Sequence, residues 1–254
     1  MLRFLTILTI SLLLAGQASL AGAITADEVI AQHIAARGGS SAMRAVNSVT
    51  RTGRAVIPGF DADMRISDTR ARPGKIRQEF MLQGLTQVQA FDGSSGWQIQ
   101  PFQGRKDPEQ MSADDTKSLA LAADFDTPLV DYRAKGATAE YLGLEDVEGT
   151  PAHKLRLKLK SGDSVIYFID PDTYMLIRDV QKQIVRGTEQ EIETDYGEYE
   201  KINGVFFPMS EETGPKGSDS SSKQKSIYET AVVNSAASEA TFTFPVAQPA
   251  GAAK

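Results

Sequence analysis

The chain has 254 residues, a net charge of −6 and no cysteine. That length suits one or two domains with a sizeable core. The acidic balance argues against nucleic acid, whose phosphates need a basic surface; the missing cysteine excludes disulfides, thiolate metal sites and an anchor on a lipidated cysteine.

Arg3, the apolar run Phe4 to Ala15 and the small residues Ala21-Gly22-Ala23 predict a signal peptide over residues 1–23, cleaved before Ile24. The run is shorter than the roughly 20 apolar residues of a membrane span, so a free, soluble, exported protein is expected. Thr25-Ala26-Asp27-Glu28 is a capping box. It predicts a helix to about Arg37, stopped by Gly38-Gly39, with a short second helix over Ser41–Val46.

From Val49 the apolar period becomes two. Strands are predicted at Val49–Ile57, Ala62–Asp68, Lys75–Leu82, Thr86–Phe91 and Gly96–Gln100, joined by Pro58-Gly59, Pro73-Gly74 and Asp92-Gly93 turns. Ser112 caps a predicted helix over Thr116–Ala122, and residues 123–136 read as an irregular connection. Strands resume at Ala139–Leu144, Ala152–Leu159, Ser164–Ile169, Met175–Val185, Glu189–Tyr199, Val205–Met209 and Lys225–Val233, with a hairpin tip over Gly214–Ser222. Residues 247–254 form a polar, Ala-rich tail. Short connections favour antiparallel neighbours, and about a dozen strands in one sheet must curl. The expected fold is therefore mainly β (α+β): a curled antiparallel sheet forming an incomplete barrel, covered by an N-terminal helix and a helical insertion, over residues 24–246.

Catalytic and metal-binding patterns are scarce. His33 and His153 are far apart, and His33 reads as a helix-surface or packing residue rather than a ligand. There is no nucleophile elbow, P-loop or dinucleotide fingerprint. Asp61 with Asp63, and Asp170 with Asp172, sit in or beside turns, where Asp is expected for local reasons. No cofactor or metal is expected. Lys154, Arg156, Lys158 and Lys160 alternate with Leu155, Leu157 and Leu159, giving either a solvated face over a buried one or an electropositive stripe for an acidic partner or an anionic lipid surface.

Three segments, in this order, resemble the LolA family of periplasmic carriers of outer-membrane lipoproteins. They are Arg72-Pro73-Gly74-Lys75-Ile76-Arg77, the run Phe91-Asp92-Gly93-Ser94-Ser95-Gly96-Trp97-Gln98-Ile99-Gln100-Pro101-Phe102, and Ala240-Thr241-Phe242-Thr243-Phe244-Pro245, which is similar to the family's closing strand. The tip at Gly214–Ser222 and Gly74 in the first segment depart from the pattern. The resemblance implies a half-barrel with an apolar cavity for lipid or for the acyl chains of a lipoprotein, in a periplasmic and non-enzymatic protein, its partners being that cargo and membrane-bound donor and acceptor proteins. A monomer is expected. A periplasmic sensor or interaction module is the alternative, and an enzyme on envelope lipids a third reading. Candidate cavity and lid residues are Ile76, Phe80, Trp97, Ile99, Leu119, Leu121 and Tyr167. Arg72 matches the family arginine that binds the lid in the closed, empty state; the alternative is a turn arginine in solvent.

Overall fold

The computed structural model describes residues 24–245 apart from 61, 125, 186 and 236. The expected leader, Asp61 and the tail lie outside the described residues. Helix α1 (Ala26–Ala36) begins on the capping box. The Thr25 hydroxyl accepts from the Glu28 amide at 3.2 Å, and the Glu28 carboxylate accepts from the Thr25 amide at 2.8 Å. These bonds satisfy donors that a helix start leaves open. Helix α2 (Gly39–Ala45) follows at once.

The first run of strands is β1 (Ser48–Val56), β2 (Met64–Ala71), β3 (Lys75–Leu82), β4 (Leu85–Phe91), β5 (Gly96–Gln100) and β6 (Arg105–Gln110). Helix α3 (Ala113–Ala122) interrupts it. The second run is β7 (Thr138–Val147), β8 (Thr150–Lys158), β9 (Ser164–Ile169), β10 (Leu176–Val185), β11 (Thr188–Ile202), β12 (Val205–Pro215) and β13 (Gln224–Val233). All the described strands join one antiparallel sheet in the order β6-β5-β4-β3-β2-β1-β13-β12-β11-β10-β9-β8-β7. Two meanders thus meet where β1 pairs with β13, and the sheet ends at β6 and β7 without closing. The expected incomplete barrel is the observed fold.

At the seam the register shifts between Thr52 and Gly53. A Cβ on Gly53 would stand 2.0 Å from the Ile227 carbonyl oxygen, so only glycine lets the two meanders approach this closely.

All three helices lie on the concave face. α1 sets Val29 and Ile30 among Leu155, Leu157, Val165 and Tyr167. α2 sets Met43 and Val46 against Val49, Val205 and Phe207. α3 sets Leu119 against Ile76 and Phe91. The convex face carries separate apolar clusters, one of them Val88, Ala90 and Trp97 with Ile99 and Phe244.

Two elements differ from expectation. β6 forms despite Pro108, which an edge strand tolerates because one of its sides needs no ladder partner. The closing strand expected over Ala240–Pro245 is instead a 3-10 turn at Glu239–Thr241 followed by an irregular segment. Phe242 there is buried, so the segment is fixed by its side chains rather than by a ladder.

Candidate functional site

A cavity of about 1250 Å³ lies between the concave face and α3. That exceeds the usual range for small-molecule sites, roughly 300–1,000 Å³. Strand pairing arranges its wall in rows. In the first half Gln98 stands opposite Gln89, Gln89 opposite Gln78, Gln78 opposite Asp68, and Asp68 opposite Arg51. In the second half Tyr167 stands opposite Asp179, Asp179 opposite Thr194, Thr194 opposite Thr213, and Thr213 opposite Gln224. Every one of these ten residues lines the cavity. Successive side chains alternate faces, so each strand crossing a row puts a polar side chain inside.

Apolar lining is present but local. Leu119 and Leu121 line the α3 side; Phe80 lines the part near Ile66 and Tyr228; Val165, Leu176 and Phe207 line the part nearest α1 and α2. Ten of the chain's fifteen glutamines line the cavity. The expected apolar cavity is therefore not what the sheet encloses: its floor is predominantly amide, hydroxyl and charged groups.

The charges on the floor pair with one another. Arg51 donates to Glu211 at 2.7 Å and to Asp68 at 3.4 Å, and its guanidinium lies 3.9 Å from the Tyr228 ring centroid. Arg70 donates to both Asp68 oxygens at 2.9 and 3.2 Å, and Gln78 donates to Asp68 at 2.9 Å. Burial alone pushes the Asp68 carboxyl up, but Arg70 and Arg51 outweigh it and hold the group well below the usual carboxylate range.

Asp179 has no such compensation. Burial pushes its carboxyl up to about 7, with Glu211 and Asp195 adding to the effect. The Tyr196 hydroxyl donates to Oδ2 at 2.7 Å, while Oδ1 is buried without a hydrogen-bond partner.

The roof is α3. Ser112 caps its N-terminus, accepting from the Asp115 amide at 3.1 Å. Lys117 reaches Asp163 beyond β8 at 2.9 Å. At the other end Arg70 donates to the Ala122 carbonyl at 3.0 Å, where a helix leaves carbonyls open. Arg72 grips Asp126, just past α3, with two bonds of 2.6 and 2.8 Å, and also donates to the Met43 and Val46 carbonyls of the α2 segment. The roof is thus clamped by Arg70, Arg72 and Lys117 and by an apolar contact centred on Leu119.

No protein-family model matches the chain, and no curated protein matches it in sequence. Solved structures do match in shape. A LolA superfamily protein from Nitrosomonas europaea superposes with a TM-score of 0.56 at 13% identity, covering 87% of this chain and 98% of that one. A domain described as an outer membrane lipoprotein-sorting protein, from Vibrio parahaemolyticus, gives 0.53 at 9% identity, over 85% and 94% of the two chains. A DUF1329 family protein from Desulfovibrio piger gives 0.52 at 10% identity, over 86% and 97%. The chain has the LolA-superfamily fold. At these identities the likeness is one of architecture.

Within this LolA-type half-barrel the expected site residues divide. Phe80, Leu119, Leu121 and Tyr167 line the cavity. Ile76 faces the same side but is covered by α3. Arg72 lies outside the cavity wall, at the clamp of the roof rather than in solvent. Trp97 and Ile99, expected on the wall, are on the convex face. Trp97 is 1% exposed, donates to the Phe242 carbonyl at 2.7 Å and packs edge-on against Phe244. Their partners Gln98 and Gln100 take the inner face. The reason is that the C-terminal segment supplies the Trp97 face with its own apolar cover.

The other singled-out residues have local roles. His33 is buried, with Nδ1 bonded to the Tyr174 carbonyl at 2.8 Å, and burial pulls its pKa down to about 4, so it packs as a neutral ring. Asp170 accepts from the amides of Asp172 and Thr173 as a turn residue does. Asp63 pairs with Arg54. Two cations of the β8 stripe pair with β7, Lys154 with Glu145 and Arg156 with Glu140. Among the described residues no cluster of three His, Asp or Glu side chains could hold a metal ion.

Proposed function

We propose that the chain is a periplasmic carrier that holds an amphiphilic cargo, a lipid or the lipid part of a lipoprotein, in the cavity beneath α3. The observation that carries this reading is the roofed cavity of about 1250 Å³ on the concave face of a LolA-type sheet. In this reading Phe80, Leu119 and Leu121 take the alkyl part, Tyr167 borders it, and Arg72 holds the roof closed when the cavity is empty. The protein acts by binding and release rather than by covalent chemistry.

The mixed wall suits a carrier. An alkyl chain of ten carbons gains about 8 kcal/mol at roughly 0.8 kcal/mol per buried CH₂. Each buried amide that loses water without gaining a partner costs about 1–3 kcal/mol. A chain crossing a row of glutamines gives back a large part of its gain, which keeps binding reversible.

Native mass spectrometry of protein purified without detergent tests the proposal, together with transfer of a fluorescent acyl lipid between vesicles. The expected result is a bound amphiphile and faster transfer with the protein than without it. Absence of both would remove the carrier reading.

A further inference from the structure

We propose that the cavity recognises an uncharged polyhydroxyl group, a sugar, as the polar part of its ligand. This inference deepens the carrier reading and rests on it for the cavity's being a ligand site.

Hydroxyl groups donate and accept at once, and the two rows offer side chains that do the same. A glutamine amide presents a carbonyl acceptor and an N–H₂ donor; threonine and tyrosine hydroxyls do both. Gln78 is bonded to Asp68, Gln98 to Glu109 and Thr194 to Thr213, and each keeps part of its capacity, while among the described residues Gln89 on one half and Gln181 on the other line the cavity with no side-chain partner. Tyr167 and Tyr196 add ring surfaces that can lie against the apolar faces of a sugar.

An anionic headgroup is poorly matched. Each lining arginine already has partners: Arg37 donates to the Phe206 carbonyl, Arg51 to Glu211, Arg70 to Asp68, and Arg105 to Glu109. Among the described residues no lining cation is left without a partner, and the acidic Asp179 adds to the mismatch with an anion. An alkyl chain laid over the rows would strip water from them and replace none of the lost bonds.

A sugar can arrive as the headgroup of a glycolipid or as a free oligosaccharide, and the two are separated by experiment. Octyl maltoside, octanol, octanoate and free maltose are titrated into the purified protein by calorimetry. Binding stoichiometry is read by native mass spectrometry. Octyl maltoside is expected to bind at least tenfold more tightly than octanol or octanoate. Gln89→Leu and Gln181→Leu, one on each half of the wall, are each expected to weaken octyl maltoside two- to tenfold and to leave octanol unchanged. Thermal unfolding confirms that each variant is folded; the two positions are independent, so one failing to fold leaves the other informative.

If octanol or octanoate matches octyl maltoside, sugar recognition is overturned and the carrier reading stands. If free maltose binds as tightly as octyl maltoside, sugar recognition stands and the lipid-carrier reading falls. If none of the four binds, both fall.

Discussion

Asp179→Asn should stabilise the protein in alkaline but not in acidic solution. The wild-type carboxyl is buried on β10 and sits between Tyr167 of β9 and Thr194 of β11 in the ladder. Tyr196 donates to it, while Glu211 of β12 and Asp195 of β11 act on it as like charges; Arg51 is bonded to Glu211, and Arg178 and Lys223 to Asp195. In the folded protein it keeps its proton up to about pH 7, whereas its ordinary value is 3.8. Between those two values unfolding releases a proton, so stability falls as pH rises. The penalty is absent below about pH 4 and complete above about pH 7. A shift of about three units corresponds to about 4 kcal/mol at 1.36 kcal/mol per unit, an upper figure because the site can admit water. Asparagine keeps the shape and can still accept from Tyr196, but it does not ionise. Urea unfolding of both proteins from pH 4 to pH 8.5 measures the difference, and titrations common to both cancel. The variant should match wild type near pH 4 and exceed it by up to about 4 kcal/mol at pH 8. A difference independent of pH, or a wild type more stable than the variant at pH 8, would refute the argument.

Two other changes follow from the geometry. Arg72→Leu leaves Asp126 buried without its partner and removes two bonds to the α2 segment; it should cost about 3 kcal/mol and slow release of a fluorescent acyl probe roughly tenfold, because the closed, empty state loses its clamp. Loss of stability with unchanged release would make Arg72 purely structural. Phe242→Ala should cost about 3–5 kcal/mol and red-shift the emission of Trp97, whereas cavity ligands should leave that emission unchanged; a large ligand-induced change would contradict the placement of Trp97 on the convex face.

Local signals carried most of the fold. The Thr25 capping box, the Pro-Gly and Asp-Gly turns and the Ser112 cap each fix a few residues by short-range chemistry, and the elements lie close to where those residues put them. β6 was illegible because an edge strand needs no apolar alternation, and Arg105, Lys106, Asp107 and Glu109 supply none. The site was harder. Alternation shows that Trp97 and Ile99 share one face and Gln98 and Gln100 the other, but not which face is concave. The apolar face is the buried one, but its cover is the segment around Phe242, 145 residues further along the chain. A signal did exist. The two hairpins β3–β4 and β4–β5 put Gln78, Gln89 and Gln98 in one register, and three glutamines in a cross-strand row are costly to bury against an apolar layer.

That row also bears on how such a half-barrel could let go of what it holds. Admitting a ligand requires α3 to withdraw Leu119 from beside Ile76 and Phe91, and to break the bonds from Arg70 to Ala122, from Arg72 to Asp126 and from Lys117 to Asp163, all of which re-form when the ligand leaves. Burying one leucine is worth roughly 1.5–3 kcal/mol, and bonds to charged groups about 1.5–3 kcal/mol each. The roof is therefore closed by only a few interactions, and a ligand that fills the cavity competes with them directly. Had the floor been apolar, every added CH₂ would have deepened the trap. A floor of amides and hydroxyls caps the contribution of the chain and moves discrimination to the polar part of the ligand, where water can compete for each bond when the roof lifts. Retention is then set by hydrogen-bond matching along the rows, and release by water entering beneath the raised α3 and by the roof bonds of the empty state re-forming.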